Sequence, residues 1–149
     1  MTDSSSLLSR IARILRSDPA LRSLAPNWAA EDARAHVFVG EPPVGAANAG
    51  RAPYVVIDLA DVRQSPLGGG DRRDAVTTAT VTVRLVARRD VDGLSQHIKR
   101  ALAATGGRQL DDAGHVLSLA LDRGAPERLG PCEAAELKLA VRLLCEPGT

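Results

Sequence analysis

The chain has 149 residues and a net charge of +1, from 19 basic and 18 acidic side chains. This length predicts one domain, spanning residues 1–149, with enough chain to bury a core. The near balance of charge argues against a protein whose whole field attracts nucleic acid or a membrane. Trp28, Phe38 and Tyr54 are the whole aromatic set, which is too few to stack the bases of a single strand.

The cysteines and the hydropathy pattern indicate the cellular compartment in which we expect the protein to be made. Cys132 and Cys145 are too few and too far apart for a zinc site or a redox pair. We expect Cys145 to be a small buried hydrophobic residue of the last strand. The sequence shows no signal-peptide pattern and no run of about 20 apolar residues. We therefore expect a soluble protein made in a reducing cytoplasm, where a disulfide is not favoured.

The first elements follow from apolar spacing. Apolar residues recur every three or four positions over 6–17, which predicts an amphipathic helix that ends at Asp18-Pro19. A further turn is compatible with 20–24, and 27–35 permits a short helix but is weakly patterned. A short strand is predicted over 36–39, followed by an exposed Gly, Ala and Pro loop over 40–50.

The stretch 52–89 predicts one long β-hairpin. Pro53 begins the first strand, where a missing N–H does little harm to the ladder. On this strand the alternation places Val55, Ile57, Leu59 and Asp61 on one face. The turn is predicted over 64–71, which is longer than a tight hairpin needs. In the returning strand, the apolar alternation from Ala79 to Ala87 opposes a polar set of Thr78, Thr80, Thr82 and Arg84.

The second half predicts one helix and two strands. The helix covers 91–104 and is expected to end at Gly106-Gly107 in a left-handed cap. A strand over 116–121, a loop over 122–132 and a clearly alternating strand over 134–146 follow. Together these elements predict an α+β fold: a mostly antiparallel sheet of four to five strands, two helices packed on one face, and a long protruding β-hairpin.

Candidate chemistry is sparse. Asp111, Asp112 and His115 form the tightest group of potential metal ligands, although Asp and Gly also belong in the polar turn that holds them. One functional hypothesis is therefore a small metal-dependent hydrolase that uses these three residues. It ranks third, after the two structural roles described below. The run Gly68-Gly69-Gly70 lacks the Gly-Lys-Ser/Thr ending of a phosphate loop and leads into a strand. We therefore expect no catalytic residue, no metal and no cofactor.

Short motifs accompany this order of elements over nearly the whole chain. They are Asp18-Pro19-Ala20-Leu21, Ala52-Pro53-Tyr54-Val55-Val56, Thr80-Val81-Thr82-Val83-Arg84-Leu85 and Val116-Leu117-Ser118-Leu119. In this order they resemble the tail-completion or tail-terminator proteins of long-tailed phages and gene-transfer particles.

The resemblance implies a structural virion protein of the tail neck, assembled in the host cytoplasm. Its implied partners are further copies of itself in a hexameric ring, the tail tube protein, and the head–tail connector or stopper protein. DNA would pass through the ring without sequence-specific binding, and no membrane is involved. A head-completion (stopper) protein, one layer higher in the neck, is the alternative.

Two sets of residues are candidates for contacts with partners. The hairpin tip is polar and Gly-rich, and we expect it to bind a partner. Its residues are Leu67, Gly68, Gly69, Gly70, Arg72 and Arg73. The outward residues Thr80, Thr82 and Arg84 of the returning strand are candidates for a subunit interface or for the lumen of the ring.

Overall fold

The computed structural model describes residues 4–31, 34–42, 50–66, 75–110 and 115–145, with side chains described over 7–31, 34–42, 50–63, 78–103 and 124–142. These residues form three helices and six strands. The helices are α1 (Ser4–Ser17), α2 (Pro19–Arg22) and α3 (Val91–Leu110). The strands are β1 (Val37–Val39), β2 (Tyr54–Pro66), β3 (Ala75–Ala87), β4 (His115–Arg123), β5 (Glu127–Leu129) and β6 (Cys132–Cys145). Along the chain they follow the order α1-α2-β1-β2-β3-α3-β4-β5-β6.

One mostly antiparallel sheet organises the chain, which confirms the α+β class. The strand order is β1-β2-β3-β6-β4, and the short β5 pairs with β6 beside this path. Strand β1 is parallel to β2, and every other pairing between the described strands is antiparallel. The sheet thus has six strands instead of four to five, because the stretch predicted as a loop over 122–132 contains β5.

Helices α1 and α3 pack on one face of the sheet, as predicted. Alternation along β3 and β6 directs one apolar series of each strand into the same core as both helices. That core includes Ile11 and Leu15 of α1, Ile98 and Leu102 of α3, and Val83 of β3, all 0% exposed. The helix-covered face is therefore mainly aliphatic, and Trp28 is the one aromatic residue among the described members of this core.

The turn between α1 and β1 is held by polar contacts. Asp18 Oδ2 accepts a hydrogen bond from Leu21 N at 3.1 Å and caps α2. Trp28 is 1% exposed, and its Nε1 donates to the carbonyl oxygen of Leu15 at 2.8 Å. Its ring also stacks on His36, with centroids 6.0 Å apart. Turns surround Trp28 in place of a regular helix.

Strands β2 and β3 pair from Tyr54↔Val86 to Pro66↔Ala75. The predicted turn over 64–71 was therefore placed too early, because 64–66 are the last residues of β2. Strand β6 pairs with the other side of β3 over the same length, from Ala87↔Glu133 to Ala75↔Cys145. The tip, 67–74, lies outside the described residues, so the protrusion of the hairpin stays a prediction.

A β-bulge in β2 overturns one predicted residue position. Leu59 is opposite Val81, whereas Asp61, two residues on, is opposite Thr80, the immediate neighbour of Val81. The extra residue, Ala60, shifts the alternation by one. Asp61 therefore lies on the open face with Thr80, and the prediction that it shares a face with Val55 is wrong.

Helix α3 is longer than predicted. The prediction that it ends at Gly106-Gly107 is wrong, since the helix continues to Leu110. Glycine inside a helix costs about 1 kcal/mol relative to alanine, which weakens a helix but does not by itself end it.

The final strand is also longer than predicted, because β6 begins at Cys132 and not at Ala134. Cys132 is a buried free thiol. Cys132 and Cys145 are the two ends of a 14-residue strand, so thirteen steps of about 3.3 Å place them about 43 Å apart. An internal disulfide requires Cα atoms within about 7 Å, so these two cysteines of one chain do not form one. The side chain of Cys145, and hence its predicted burial, lies outside the described residues.

Candidate assembly surface

The open face is the side of the sheet opposite α1 and α3. Its central column consists of Thr78, Thr80, Thr82 and Arg84, all half-buried residues of β3. The structure therefore brings together the three described residues that the sequence proposed for an interface or lumen. Each threonine contributes a hydroxyl group that both donates and accepts hydrogen bonds. The column is suited to polar, water-mediated contacts and not to a dry apolar interface.

Charged side chains flank this column on both neighbouring strands. Thr82 has Asp58 of β2 on one side and Lys138 of β6 on the other. Thr80 has Asp61 on the β2 side, because of the bulge. The carboxylates and Lys138 are exposed. The open face thus has charges of both signs on both sides of the threonine column: Asp58, Asp61 and Arg63 on β2, and Glu136, Lys138 and Arg142 on β6.

An aromatic cluster closes one end of the open face. Phe38 and Tyr54 pack edge to face, with ring centroids 6.2 Å apart and an interplanar angle of 74°. Burial raises the pKa of the Tyr54 hydroxyl, while the positive charge of Arg84 lowers it and Cys132 raises it. Arg84 is opposite Val56, two residues from Tyr54 on β2. The cation therefore links the aromatic cluster to the polar column.

Side chains occupy two backbone groups along the edge of the sheet formed by β1 and β2. Arg16 Nη2 donates to the carbonyl oxygen of Val37 at 2.9 Å. Further along, Asp58 Oδ1 accepts from Leu59 N at 2.9 Å, just before the bulge. Occupied backbone groups and bulges are known devices that prevent pairing with another chain.

The basal groove is an open depression where β2 begins and β3 leads into α3. It has a volume of about 490 Å³ and is lined by Leu24, Ala52, Pro53, Ala87, Arg88, Arg89, Asp90 and Leu94. Asp90 Oδ1 accepts from Gly93 N at 3.2 Å, so this carboxylate serves the start of α3. The groove combines an apolar lining with three exposed charged residues, Arg88, Arg89 and Asp90.

Sequence reasoning missed this groove. Its residues come from four separate segments, and none of them forms a motif with its neighbours in the chain. The doublet Arg88-Arg89, followed by the cap Asp90, was the available signal.

The other candidate residues of the sequence analysis are the hairpin tip and the group of potential metal ligands. The tip residues 67–73, and Asp111 and Asp112 of the metal hypothesis, are outside the described residues. Within the parts of the chain whose side chains are described, no group of three His, Cys, Asp or Glu residues could hold a metal ion. None of the described helices is long and apolar enough to cross a membrane.

Comparisons with known proteins bear on the whole fold. No family model and no curated protein matches this sequence. Among solved structures, the chain is similar to a chain of the structure titled "Virion of native gene transfer agent (GTA) particle", with a TM-score of 0.52 and 17% identity. The match covers 93% of this chain and 94% of that chain. At this identity the similarity shows a shared fold, and its coverage shows that the fold is shared along nearly the entire chain.

Proposed function

We propose that this chain is a structural protein of a phage-like or gene-transfer particle, and within it the tail terminator or tail-completion subunit. In this role several copies form a ring that caps the tail tube and joins it to the head connector. The observation that carries the proposal is the fold match over 93% of the chain to a chain of a gene transfer agent virion. The order of motifs along the sequence supports the finer assignment.

The difference between the two faces of the sheet supports a role in assembly. One face is sealed by two helices, so the subunit has a core of its own. The opposite face keeps a half-buried polar column between charged strands. Subunit interfaces outside their dry centre are polar and contain water. The column is thus suited to line either a contact between copies or the lumen of the ring.

The charge of the chain is compatible with passage of DNA. A net charge of +1 on each copy gives a ring little overall attraction for phosphate. Tight non-specific binding requires several Lys or Arg contacts to neighbouring phosphates. We propose that DNA passes through the ring without being held, and that the protein performs no turnover chemistry.

The test is to delete the encoding gene in a producing strain and to image the particles by electron microscopy. A missing terminator gives overlong tails, and supplying the wild-type gene from a plasmid restores the normal length. Heads that leak DNA beside tails of normal length indicate the stopper role instead. Tails and heads of normal form at full yield contradict both assignments.

A further inference from the structure

One row of the open face carries two cations. A row here is a set of residues that lie opposite one another on β2, β3 and β6. Arg63 is opposite Thr78, and Thr78 is opposite Arg142. Both arginines are exposed, and Thr78 is half-buried between them. We call Arg63, Thr78 and Arg142 the arginine row.

The other described rows along the threonine column either combine opposite charges or hold a single charge. They are Asp58 with Thr82 and Lys138, Asp61 with Thr80 and Ala140, and Val56 with Arg84 and Glu136. Opposite charges on neighbouring strands stabilise a sheet, whereas like charges do not. The charges of the arginine row therefore add nothing to the stability of the fold, and they remain available to bind an anion.

The two guanidinium groups of the row can reach the same anion. Neighbouring strands are about 4.8 Å apart, so the Cα atoms of Arg63 and Arg142 are about 10 Å apart across β3. Each side chain has to span about half of this distance to meet the other above Thr78. Thr78 supplies a hydroxyl group that can donate a hydrogen bond. Arginine and hydroxyl donors are the groups with which proteins contact the phosphate oxygens of DNA.

One carboxylate lies beside the row. Arg63 Nε donates to Asp61 Oδ2 at 2.8 Å. Both side chains stay in solvent, at 81% and 49% exposure, and exposed pairs of this kind are weak. The bond uses Nε and leaves the two Nη groups of Arg63 for a further acceptor. Asp61 therefore lowers the affinity of the row for an anion without occupying it.

The surroundings of the row favour nucleic acid over a protein partner. The centre of a protein interface is built from aromatic and aliphatic anchors. The large apolar residues that the described surface leaves exposed are Val39 and Val62, and they lie opposite Ile57 and Ala79 of the helix-covered core. The open face around the row is polar, and interfaces with DNA are polar, positively charged and wet.

We propose that the arginine row binds a phosphodiester group of duplex DNA, and that the open face lines the lumen of the ring. This inference rests on the proposed function, and it selects the lumen from the two positions open to the threonine column. Two cations on each copy are fewer than tight binding requires. Because phosphate contacts carry no sequence information, the row exchanges one phosphate for the next as the DNA moves.

The experiment measures binding of the purified protein to a short, fluorescently labelled DNA duplex by anisotropy, over a series of salt concentrations. Arg142→Ala removes one cation of the row, and Asp61→Asn removes the competing carboxylate. Arg100→Ala, at an exposed position of α3, is the matched control. All three sites are exposed, so thermal melts should remain close to that of the wild type.

Each phosphate contact contributes about 0.9 to the slope of log K against log salt concentration, so Arg142→Ala should lower the magnitude of this slope by about that amount. The control should keep the slope of the wild type. Asp61→Asn should bind the duplex more tightly than the wild type at low salt. A second duplex of different sequence should bind equally well.

Absence of measurable duplex binding by the wild type at low salt overturns the proposal, and so does an unchanged slope in Arg142→Ala. Two competitors, added at constant ionic strength, distinguish the ligands. Displacement of the duplex by inorganic phosphate would indicate a site for free phosphate, and displacement by polyaspartate at an equal concentration of charge would indicate an acidic protein. Either result overturns the assignment to DNA.

The outcome is separable from that of the proposed function, because the binding assay does not depend on the form of the particles. Duplex binding through the row together with normal particles from the deletion strain would leave the DNA contact standing and remove the tail-terminator role. Overlong tails together with no duplex binding would retain the role and remove this contact.

Discussion

The two faces of the sheet are built from the same strands but differ in the burial and polarity of their side chains. In β3, Val81, Val83 and Leu85 are 0% exposed under the helices, whereas the residues between them, Thr82 and Arg84, are half-buried on the open face. Because strand side chains alternate, each residue contributes to one face only. The helix-covered face contributes the core, and we propose that the open face makes the contacts with partners.

The largest difference in stability is expected between two variants that place an aspartate on one face or on the other. Val83→Asp places a carboxylate in the aliphatic core without a partner, which should cost several kcal/mol and approach the whole stability of a small domain. Thr82→Asp, the next residue along, adds the same group to the open face. It should change the free energy of unfolding by about 1 kcal/mol or less. Urea denaturation of both variants checks this.

A control for the comparison is Leu139→Asp in β6, which is opposite Val81 and also 0% exposed. It should behave like Val83→Asp. Soluble protein that melts cooperatively from either core variant would show that the assignment of the two faces is reversed.

A smaller loss of stability is expected when the hydrogen bond between Trp28 and α1 is removed. Trp28→Phe keeps an aromatic ring but removes the N–H that binds the carbonyl oxygen of Leu15. Leaving a buried carbonyl without its partner costs about 1–3 kcal/mol. Circular dichroism during urea denaturation measures this loss, since the variant lacks the tryptophan needed for fluorescence. An unchanged midpoint would indicate that this bond does not hold the segment to α1.

Sequence patterning was most informative where a strand has one covered face. The alternation of β3, and of Leu137, Leu139 and Val141 in β6, predicted the buried series, and all three β6 residues are 0% exposed. Apolar spacing and Asp18-Pro19 likewise placed the end of α1. In these segments each residue type agrees with its local environment, so period and burial carry the same information.

The structural features that the sequence did not predict have local physical causes. The bulge at Ala60 shows only in the register between β2 and β3, and no residue type in 58–61 identifies it. Strand β5 has three residues, too few to show a period. The groove unites the turn after α2, the residues before β2, the end of β3 and the start of α3, which only the tertiary fold brings together. Of the candidate site, the threonine column was predictable from alternation, whereas the position of Asp61 beside Thr80 was not.

The hairpin tip is predicted to affect joining more than folding. Arg72→Glu with Arg73→Glu should shift the free energy of unfolding by less than about 0.5 kcal/mol, as is usual for surface charges. Like charges brought together across an interface cost several kcal/mol, so attachment to tube or connector should fall. A thermal melt and a count of completed particles measure the two effects. If both are unchanged, the tip is not the docking element.

The smallest predicted effect concerns alkaline pH. Burial raises the pKa of Tyr54 above its ordinary value of 10.0. The folded state therefore holds the proton more tightly than the unfolded chain does, so stability is full below pH 10 and falls as pH rises through the folded pKa. Arg84→Ala removes the cation that lowers this pKa, and should move the titration to still higher pH.

The absorbance of tyrosinate reports this titration directly, because Tyr54 is the chain's one tyrosine. Arg128→Ala, at an exposed position of β5, is the matched control and should leave the curve in place. A shift to lower pH in Arg84→Ala would show that the guanidinium group does not act on the Tyr54 hydroxyl.

The central claim is that the chain works by assembling into a ring at the end of a tail tube. The most direct measurement is electron microscopy of purified protein mixed with purified tail tubes, scored for the ends of the tubes. The account predicts closed rings, hexameric by the family resemblance, seated on tube ends, and tubes that no longer elongate when free tube protein is added. Bare tube ends that continue to grow in the presence of excess folded protein would contradict it.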